Sequence, residues 1–237
     1  MKKLQKDKAT EDHLAHKIEV FKKSSRFAHL DERDLRKIAA LATTCHFKKR
    51  DVIFREEDTP KFFYIVQHGR VKLFRRSLSG KNFVALVASP SNSLDSYVLF
   101  EGKAHDLSAQ AMDDVTVLRI KREEYLSFVN EHPSIAIKSV DMLAKVVNSA
   151  YERIIDLIGE RVEQRVHNIL IMLYLKFGTT LVFTSEEIAD LAGTTTETAI
   201  RVLSKLRKAG IIRSYRGKIT ILDSTKLYSI SRTSYQL

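Results

Sequence analysis

Two hydrophobic periodicities alternate along the chain and divide it into regions. Residues 27–41 repeat apolar side chains at helical spacing, with Asp31 at the expected N-cap. Residues 47–120 instead carry short apolar runs separated by turn residues, which predicts an antiparallel barrel or sandwich able to hold a small ligand. Residues 1–20 are charged, and we expect a frayed or weakly helical extension. The predicted strands are 52–54, 62–66, 71–74, 83–87, 107–111 and 115–120, with turns that include Ser79–Gly80.

From Pro133 to about Ile158 the apolar spacing is helical again and alternates between three and four residues. This alternation is the a/d seam of a coiled coil. A helix packed only against its own barrel would also be apolar, but Met142, Leu143 and Leu157 add a further apolar face. We therefore expect a parallel homodimer, with a hinge at Gly159. The predicted interface consists of Ile137, Val140, Ala144, Val147, Tyr151, Ile154 and Ile158.

Two short helices around a tight turn are predicted between Thr184 and Leu206. Thr184 can cap the first helix, with Glu187 three residues on completing a capping box. Gly193 can leave that helix through the left-handed region, and Gly210 can stop the second helix. Helix, glycine turn and helix form a helix-turn-helix, whose second helix enters the DNA major groove.

The outward face of the second helix carries side chains suited to reading DNA bases. Glu197 and Arg201 are four residues apart, so they share one helical face. Arginine can bind guanine with two hydrogen bonds, and glutamate can accept one from cytosine. An exposed ion pair on a surface helix is the alternative, but the preceding turn favours base reading. The predicted base-reading residues are Thr195, Thr196, Glu197 and Arg201.

A small hairpin is predicted beside this helix, because apolar residues flank an Arg-Gly turn in residues 211–222. Such a wing would place basic side chains on phosphates, which positions a protein without reading sequence. The predicted phosphate contacts are Thr184, Ser185, Lys205, Arg213, Arg216 and Lys218.

Charge and composition narrow the function classes. The 237-residue chain has a formal net charge of +11, which fits a polyanionic partner such as double-stranded DNA. The single cysteine, Cys45, excludes a disulfide framework and a cysteine-ligated iron–sulfur cluster. We find no catalytic motif and no metal-ligand spacing, so an enzyme is not expected. With no membrane span and no signal-peptide core, we expect a soluble, cytoplasmic protein.

Three stretches resemble the CRP/FNR family of bacterial transcription regulators. They are residues 63–73 (FYIVQHGRVKL), residues 188–193 (IADLAG) with Glu197 and Arg201, and the spacing from Pro133 through Arg165. The resemblance implies an α+β fold in four parts: an N-terminal extension (1–26), a cyclic-nucleotide-binding-like antiparallel β-roll (27–132), a long dimerisation helix with hinge (133–159) and a C-terminal winged helix-turn-helix (160–237). It also implies RNA polymerase as a partner and a palindromic DNA site with half-sites resembling TTGA.

The departures from this family pattern bear on the effector. Cyclic-AMP-binding members hold the cyclic phosphate with an arginine and the ribose with a glutamate. Here Leu107 stands where the arginine is expected and Ser96 where the glutamate is expected, while Ala150–Tyr151 replaces the pair that touches adenine. Cyclic AMP and an iron–sulfur cluster are therefore not expected.

Other effectors remain open at this stage. Haem is one possible effector, since His29, His46, His68 and His105 lie in or near the barrel region. The other possibility is that the protein binds DNA without any ligand. By the family's geometry, an effector pocket would be lined by Tyr97, Leu99, Phe100, Leu107, Ser108, Val147 and Tyr151.

Overall fold

The computed structural model describes residues 2–77, 82–94 and 96–230, with side chains from residue 11 onward. The predicted turn at Ser79–Gly80 lies outside the described residues. Contacts divide the chain into two compact units, Met1–Arg75 with Val84–Val147, and Arg76–Phe83 with Asn148–Leu237.

The first unit contains the predicted β-roll, built from two four-stranded sheets. Their strand orders are β1-β8-β3-β6 and β2-β7-β4-β5, and neighbours such as β3 and β8 pair antiparallel. The strands are β1 (Thr43–Phe47), β2 (Val52–Phe54), β3 (Phe62–His68), β4 (Val71–Arg76), β5 (Asn82–Ala88), β6 (Ser93–Leu94), β7 (Ser108–Ala111) and β8 (Val115–Lys121). The helices up to residue 131 are α1 (Lys2–Lys23), α2 (Glu32–Leu41), α3 (Val98–Glu101) and α4 (Arg122–Glu131).

Two hydrophobic clusters stabilise this unit. One lies between helices and sheet and includes Phe27, Phe63, Leu99 and Tyr125. The other lies between the sheets and includes Phe54, Tyr64, Val66, Val71 and Ala109. Alternate residues of the strands point into these clusters, as the period of two predicts. The predicted β-strands are confirmed, while strands β1 and β6 and helices α3 and α4 are additional elements.

Of the two expectations for the N-terminal extension, frayed or weakly helical, the helical one is confirmed, and the end of this helix is packed into the core. Helix α1 runs through Lys23, and its last turns bury Val20 and Phe21 in the helix–sheet cluster. The chain then turns so that Arg26 and Phe27 are also buried. Edge-to-face contacts of Phe27 with Phe21, at 5.2 Å, and with Phe63, at 5.9 Å, stabilise this arrangement. Tertiary burial therefore stabilises a segment whose local composition is mostly charged.

A 27-residue helix, α5 (Pro133–Gly159), follows the roll as predicted. Ile135 near its start is fully buried, whereas Ile137, Val140 and Ile158 of the predicted seam are 64%, 66% and 83% exposed. The seam is thus an apolar face that the protomer itself leaves uncovered.

The second unit contains a small three-stranded sheet of order β10-β11-β9 and a group of short helices. Buried side chains of α6, including Ile169, Leu170 and Leu173, contribute to its core. Its elements after α5 are α6 (Val162–Phe177), β9 (Thr180–Leu181), α7 (Ser185–Ala192), α8 (Thr196–Lys208), β10 (Ile212–Tyr215), β11 (Lys218–Ile221) and α9 (Ser224–Ser229).

Candidate DNA-binding site and sensor region

Helices α7 and α8 form the predicted helix-turn-helix. The Thr184 hydroxyl accepts from the Glu187 amide at 3.1 Å, and the Glu187 carboxylate accepts from the Thr184 amide at 2.8 Å. This is the predicted capping box. Gly193 ends α7 with φ of 61°, in the left-handed region that favours glycine. The local signals in the sequence therefore produce the expected turn between the two helices.

Helix α8 presents the predicted base-reading face to solvent. Its opposite face is buried through Ala199, Val202, Leu203 and Leu206. Glu197 and Arg201 are exposed, whereas Thr195 is the N-cap and accepts from the Thr198 amide. Hydrogen bonds from its own backbone amide and from Thr195 lower the pKa of Glu197. The carboxylate is therefore an ionised acceptor in the first turn of the helix.

The wing consists of β10 and β11, joined at Arg216 and Gly217. Both turn residues have positive φ, 43° and 74°, as a tight hairpin turn requires. Tyr215 pairs with Lys218 across the hairpin, and the side chains of Arg213, Arg216 and Lys218 are exposed. The predicted hairpin is confirmed, and its tip carries a concentrated positive charge.

A groove of about 400 Å³ lies between α8 and the wing. Arg207, Arg216 and Lys218 line it, together with Ser185 at the start of α7. Arg207 was not among the predicted phosphate contacts. Its position at the basic C-terminal end of α8, six residues after Arg201, could have indicated it. The groove has the polar, cationic lining that a phosphate backbone prefers.

Lys205, a predicted phosphate contact, is engaged within the protein. Its Nζ lies 3.2 Å from both carboxylate oxygens of Glu163 on α6. The Lys205 side chain is 61% exposed and that of Glu163 is 44% exposed, so the pair contributes at most about 1 kcal/mol. A phosphate would compete with Glu163 for this ammonium.

The junction between α5 and α6 is the predicted hinge. Helix α5 ends at Gly159, and Arg161 is the extended N-cap residue of α6, so the chain changes direction at 160–161. Arg165 then donates to the carbonyls of Glu160, Ala192 and Gly193, at 3.3, 3.1 and 3.3 Å. One guanidinium therefore joins the end of α5 to the turn of the helix-turn-helix.

The predicted effector-pocket residues that belong to the first unit lie in different surroundings within it. Leu99 is buried in the helix–sheet cluster, while Leu107 packs against the cluster between the sheets. Tyr97 is partly exposed and donates to Asp106 at 3.1 Å, and the Ser108 hydroxyl accepts from the Glu56 amide at 3.0 Å. The remaining members are exposed, namely Phe100 at 44%, Val147 at 40% and Tyr151 at 61%.

The fold and the site together define a two-domain DNA-binding transcription regulator. Residues 44–132 match the family described as "Cyclic nucleotide-binding domain", and residues 164–230 match the "Crp-like helix-turn-helix domain". The chain belongs to the CRP/FNR family of transcription regulators, which bind DNA and typically act as dimers.

Similar proteins support this assignment. The chain is 29% identical over 180 residues to the Cyclic AMP receptor protein of Thermus thermophilus, covering 76% of this chain and 83% of the relative. It is 27% identical over 211 residues to the Nitrogen fixation regulation protein FixK of Bradyrhizobium diazoefficiens, covering 85% and 87%. The structure of FixK2 from Bradyrhizobium japonicum, 23% identical, has the same fold with a TM-score of 0.73 over 81% of this chain and 98% of that one.

The helices in the described part of the chain lack the combination of length and apolar character that a membrane span requires.

Proposed function

We propose that the protein binds a palindromic promoter site as a homodimer and regulates transcription in response to an effector other than cyclic AMP. Each half-site resembles TTGA, and the two half-sites lie about one helical turn apart. RNA polymerase is the second partner.

The observation that supports this proposal most directly is the exposed face of α8 beside the cationic wing. Glu197 and Arg201 point outward from a helix whose other face is buried, so they are available to base edges. Arg213, Arg216 and Lys218 stand on the adjacent hairpin, where they suit phosphates.

The apolar seam of α5 supports the homodimer. All seven predicted interface residues are exposed in the protomer, although six of them are large hydrophobic side chains of Ile, Val or Tyr type with at least 40% exposure. Exposed apolar residues at a/d spacing are covered most simply by the same face of a second copy. Two-fold symmetry would then match the palindrome.

The residues of the roll support an effector other than cyclic AMP, even though several relatives are named for that ligand. Leu107 offers no positive charge where the family's arginine is expected, and Ser96 is buried where the glutamate is expected. A cyclic phosphate held at Leu107 would lack the family's arginine, and burying a phosphate charge without that partner is unfavourable.

Regulation would be a shift between two dimer arrangements. An effector that binds one arrangement better alters packing along α5, and the junction at 159–161 then reorients the helix-turn-helix. The effector can shift the equilibrium between the two arrangements only as far as its affinities for them differ.

The DNA-binding proposal is tested by comparing Arg201→Ala with Lys218→Ala. Arg201→Ala should cost about 1–3 kcal/mol of binding free energy and relax discrimination at one guanine of the half-site. Lys218→Ala should weaken binding to all sequences alike and lower the salt slope. Binding to a half-site mutation series is measured by fluorescence anisotropy at several salt concentrations. Equal loss by Arg201→Ala on every sequence would show that Arg201 contacts only phosphate.

The dimer is tested by placing a charge in the α5 seam. Ile154→Glu would bury two like charges against each other, so sedimentation equilibrium should show a monomer. Lys145→Glu, at another exposed position of the same helix, is the matched control and should leave the dimer intact. If the Ile154→Glu protein remains a dimer, the α5 seam is not the dimer interface.

A further inference from the structure

The β-roll unit contains a buried arginine, Arg26. The side chain of Arg26, at 3% exposure, lies in the helix–sheet cluster next to the ring of Phe63, 5.8 Å from its centroid. Within the described residues its hydrogen-bond partners are all neutral. Burying a guanidinium is costly unless an anion compensates it, so this arrangement indicates a missing partner.

The neutral partners occupy only part of the guanidinium. Nη1 donates to the Tyr125 hydroxyl at 2.9 Å, and Nη2 donates to the Ser96 hydroxyl at 2.8 Å. Nη2 also faces the Met142 sulfur at 3.8 Å, which is a weak acceptor. Nε is buried and has no hydrogen-bond partner in the described part of the chain. The Nε–Nη2 edge is therefore the incompletely bonded side of Arg26.

Another arginine of the same unit shows what this edge ordinarily binds. Arg70 donates from Nε to Asp113 Oδ2 and from Nη2 to Asp113 Oδ1, both at 2.7 Å. This two-bond fork is the strongest geometry between a guanidinium and a carboxylate. In Arg26, Nη2 instead donates to the Ser96 hydroxyl and faces a thioether, while Nε has no partner among the described residues. The Ser93 hydroxyl lies 3.3 Å from the Ser96 hydroxyl.

We propose that the Nε–Nη2 edge of Arg26 binds the carboxylate of a small organic acid, and that this acid is the effector. The inference rests on the proposed function, in which an effector acts at the β-roll. Ser93 and Ser96, both buried, are positioned to add neutral hydrogen bonds to the acid. A single carboxylate balances the single positive charge, whereas a phosphate dianion would leave a net buried negative charge.

The site also connects to the dimer helix. Met142 belongs to α5 and lies between the seam residues Val140 and Ala144 in the sequence. A carboxylate on the Nη2 donor would replace the contact of Nη2 with the Met142 sulfur. The acid would thus change packing on the inner side of α5 directly behind the seam. An effector can shift an equilibrium only if it binds one state better than the other, and this change in packing would distinguish the two states.

The test measures thermal unfolding of the full-length protein with sodium formate, acetate or benzoate, against sodium chloride at equal ionic strength. At least one acid should raise the unfolding midpoint saturably, because a ligand of the folded state stabilises it by mass action. Neutral benzamide should have no effect. Arg26→Met should weaken the acid's apparent affinity by about 30-fold or more, as loss of one partner of a buried charge pair does.

Two further variants keep the result interpretable. Arg70→Met, which removes an arginine already paired with Asp113, should lower the midpoint without acid but retain the saturable response. If Arg26→Met does not fold, Ser96→Ala leaves Arg26 in place and should still weaken the acid several-fold. An equal acid response in wild type and the Arg26 or Ser96 variant would overturn the proposal.

An internal counter-ion is the competing explanation. Asp95 is adjacent to Ser96 in the sequence and lies outside the described residues. If no acid shifts the midpoint and Asp95→Asn destabilises the protein as much as Arg26→Met, Asp95 is the partner and the proposal fails. DNA binding is measured in parallel, because intact palindrome binding without any acid response refutes only the effector assignment. Acid binding without DNA binding would instead refute the proposed function.

Discussion

The prediction that tests the architecture of the DNA-binding unit most directly concerns Arg165. This side chain donates to the carbonyls of Ala192 and Gly193 at the end of α7 and to Glu160 after α5. Carbonyls at a helix C-terminus lack intrahelical partners and carry partial negative charge, so a cation there is favourable. Arg165→Ala removes all three contacts and leaves these groups to water.

The magnitude follows from these contacts. Hydrogen bonds from a charged group contribute about 1.5–3 kcal/mol each when short and buried. The Arg165 bonds are 3.1–3.3 Å long and the side chain is half-buried, so we assign about 1 kcal/mol to each. Arg165→Ala should therefore lower the free energy of unfolding of the second unit by about 2–3 kcal/mol. Affinity for DNA should also fall, because the Gly193 turn sets the direction of α8.

The assay is urea unfolding followed by circular dichroism, with each transition fitted separately because the chain has two compact units. Arg161→Ala, which removes an exposed arginine one helical turn earlier, is the matched control and should change stability by less than about 0.5 kcal/mol. If Arg165→Ala unfolds at the wild-type urea concentration, the three contacts do not stabilise the junction and the reasoning is wrong.

Two further predictions concern a turn and a buried histidine. Gly69 has φ of 82°, and a Cβ there would lie 2.7 Å from the Asp114 carbonyl oxygen, so Gly69→Ala should cost about 2–4 kcal/mol. Gly159→Ala, whose Cβ meets no atom within 4 Å, should leave the calorimetric unfolding midpoint nearly unchanged, and equal shifts in both variants would contradict this account. Desolvation lowers the pKa of His167 below its ordinary value of 6.5, so the unfolded chain binds the proton more readily. Stability should fall as pH drops from 6.5 toward the lower folded pKa, and His167→Leu should remove this decline in pH-dependent urea titrations.

The DNA-binding unit was predictable because its signals are local. A capping threonine, a glycine in the left-handed region and an apolar stripe each act over about one or two helical turns, so neighbouring residues decide the structure. The capping box at Thr184, the turn at Gly193 and the hairpin at Arg216–Gly217 are accordingly confirmed. Arg165 was not singled out, because its acceptors at Ala192 and Gly193 are 27 and 28 residues away.

The sensor region was predictable as a fold and much less as a site. The alternation of short apolar runs identifies the strands, but it does not say which strand end faces which cluster. Leu99 and Leu107 were therefore predicted to line one pocket, whereas in the structure they belong to different hydrophobic clusters. The burial of α1 was missed for the same reason, since Phe21 of this helix contacts Phe27, which in turn contacts Phe63 of a distant strand.

The position of the buried charge is informative about the kind of ligand that the roll accepts. Leu107 removes a cation from the segment where cyclic-nucleotide-binding relatives are expected to have one, and its side chain packs against a hydrophobic cluster. A roll that had lost all ligand binding would be expected to bury apolar residues throughout, because an unpaired charge reduces stability. Arg26 is instead buried beside the ring of Phe63 and contacts residues 70, 99 and 116 positions away. Burying this charge is costly, and its Nε–Nη2 edge is incompletely bonded. Both facts argue that the roll binds a different ligand and has not lost ligand binding.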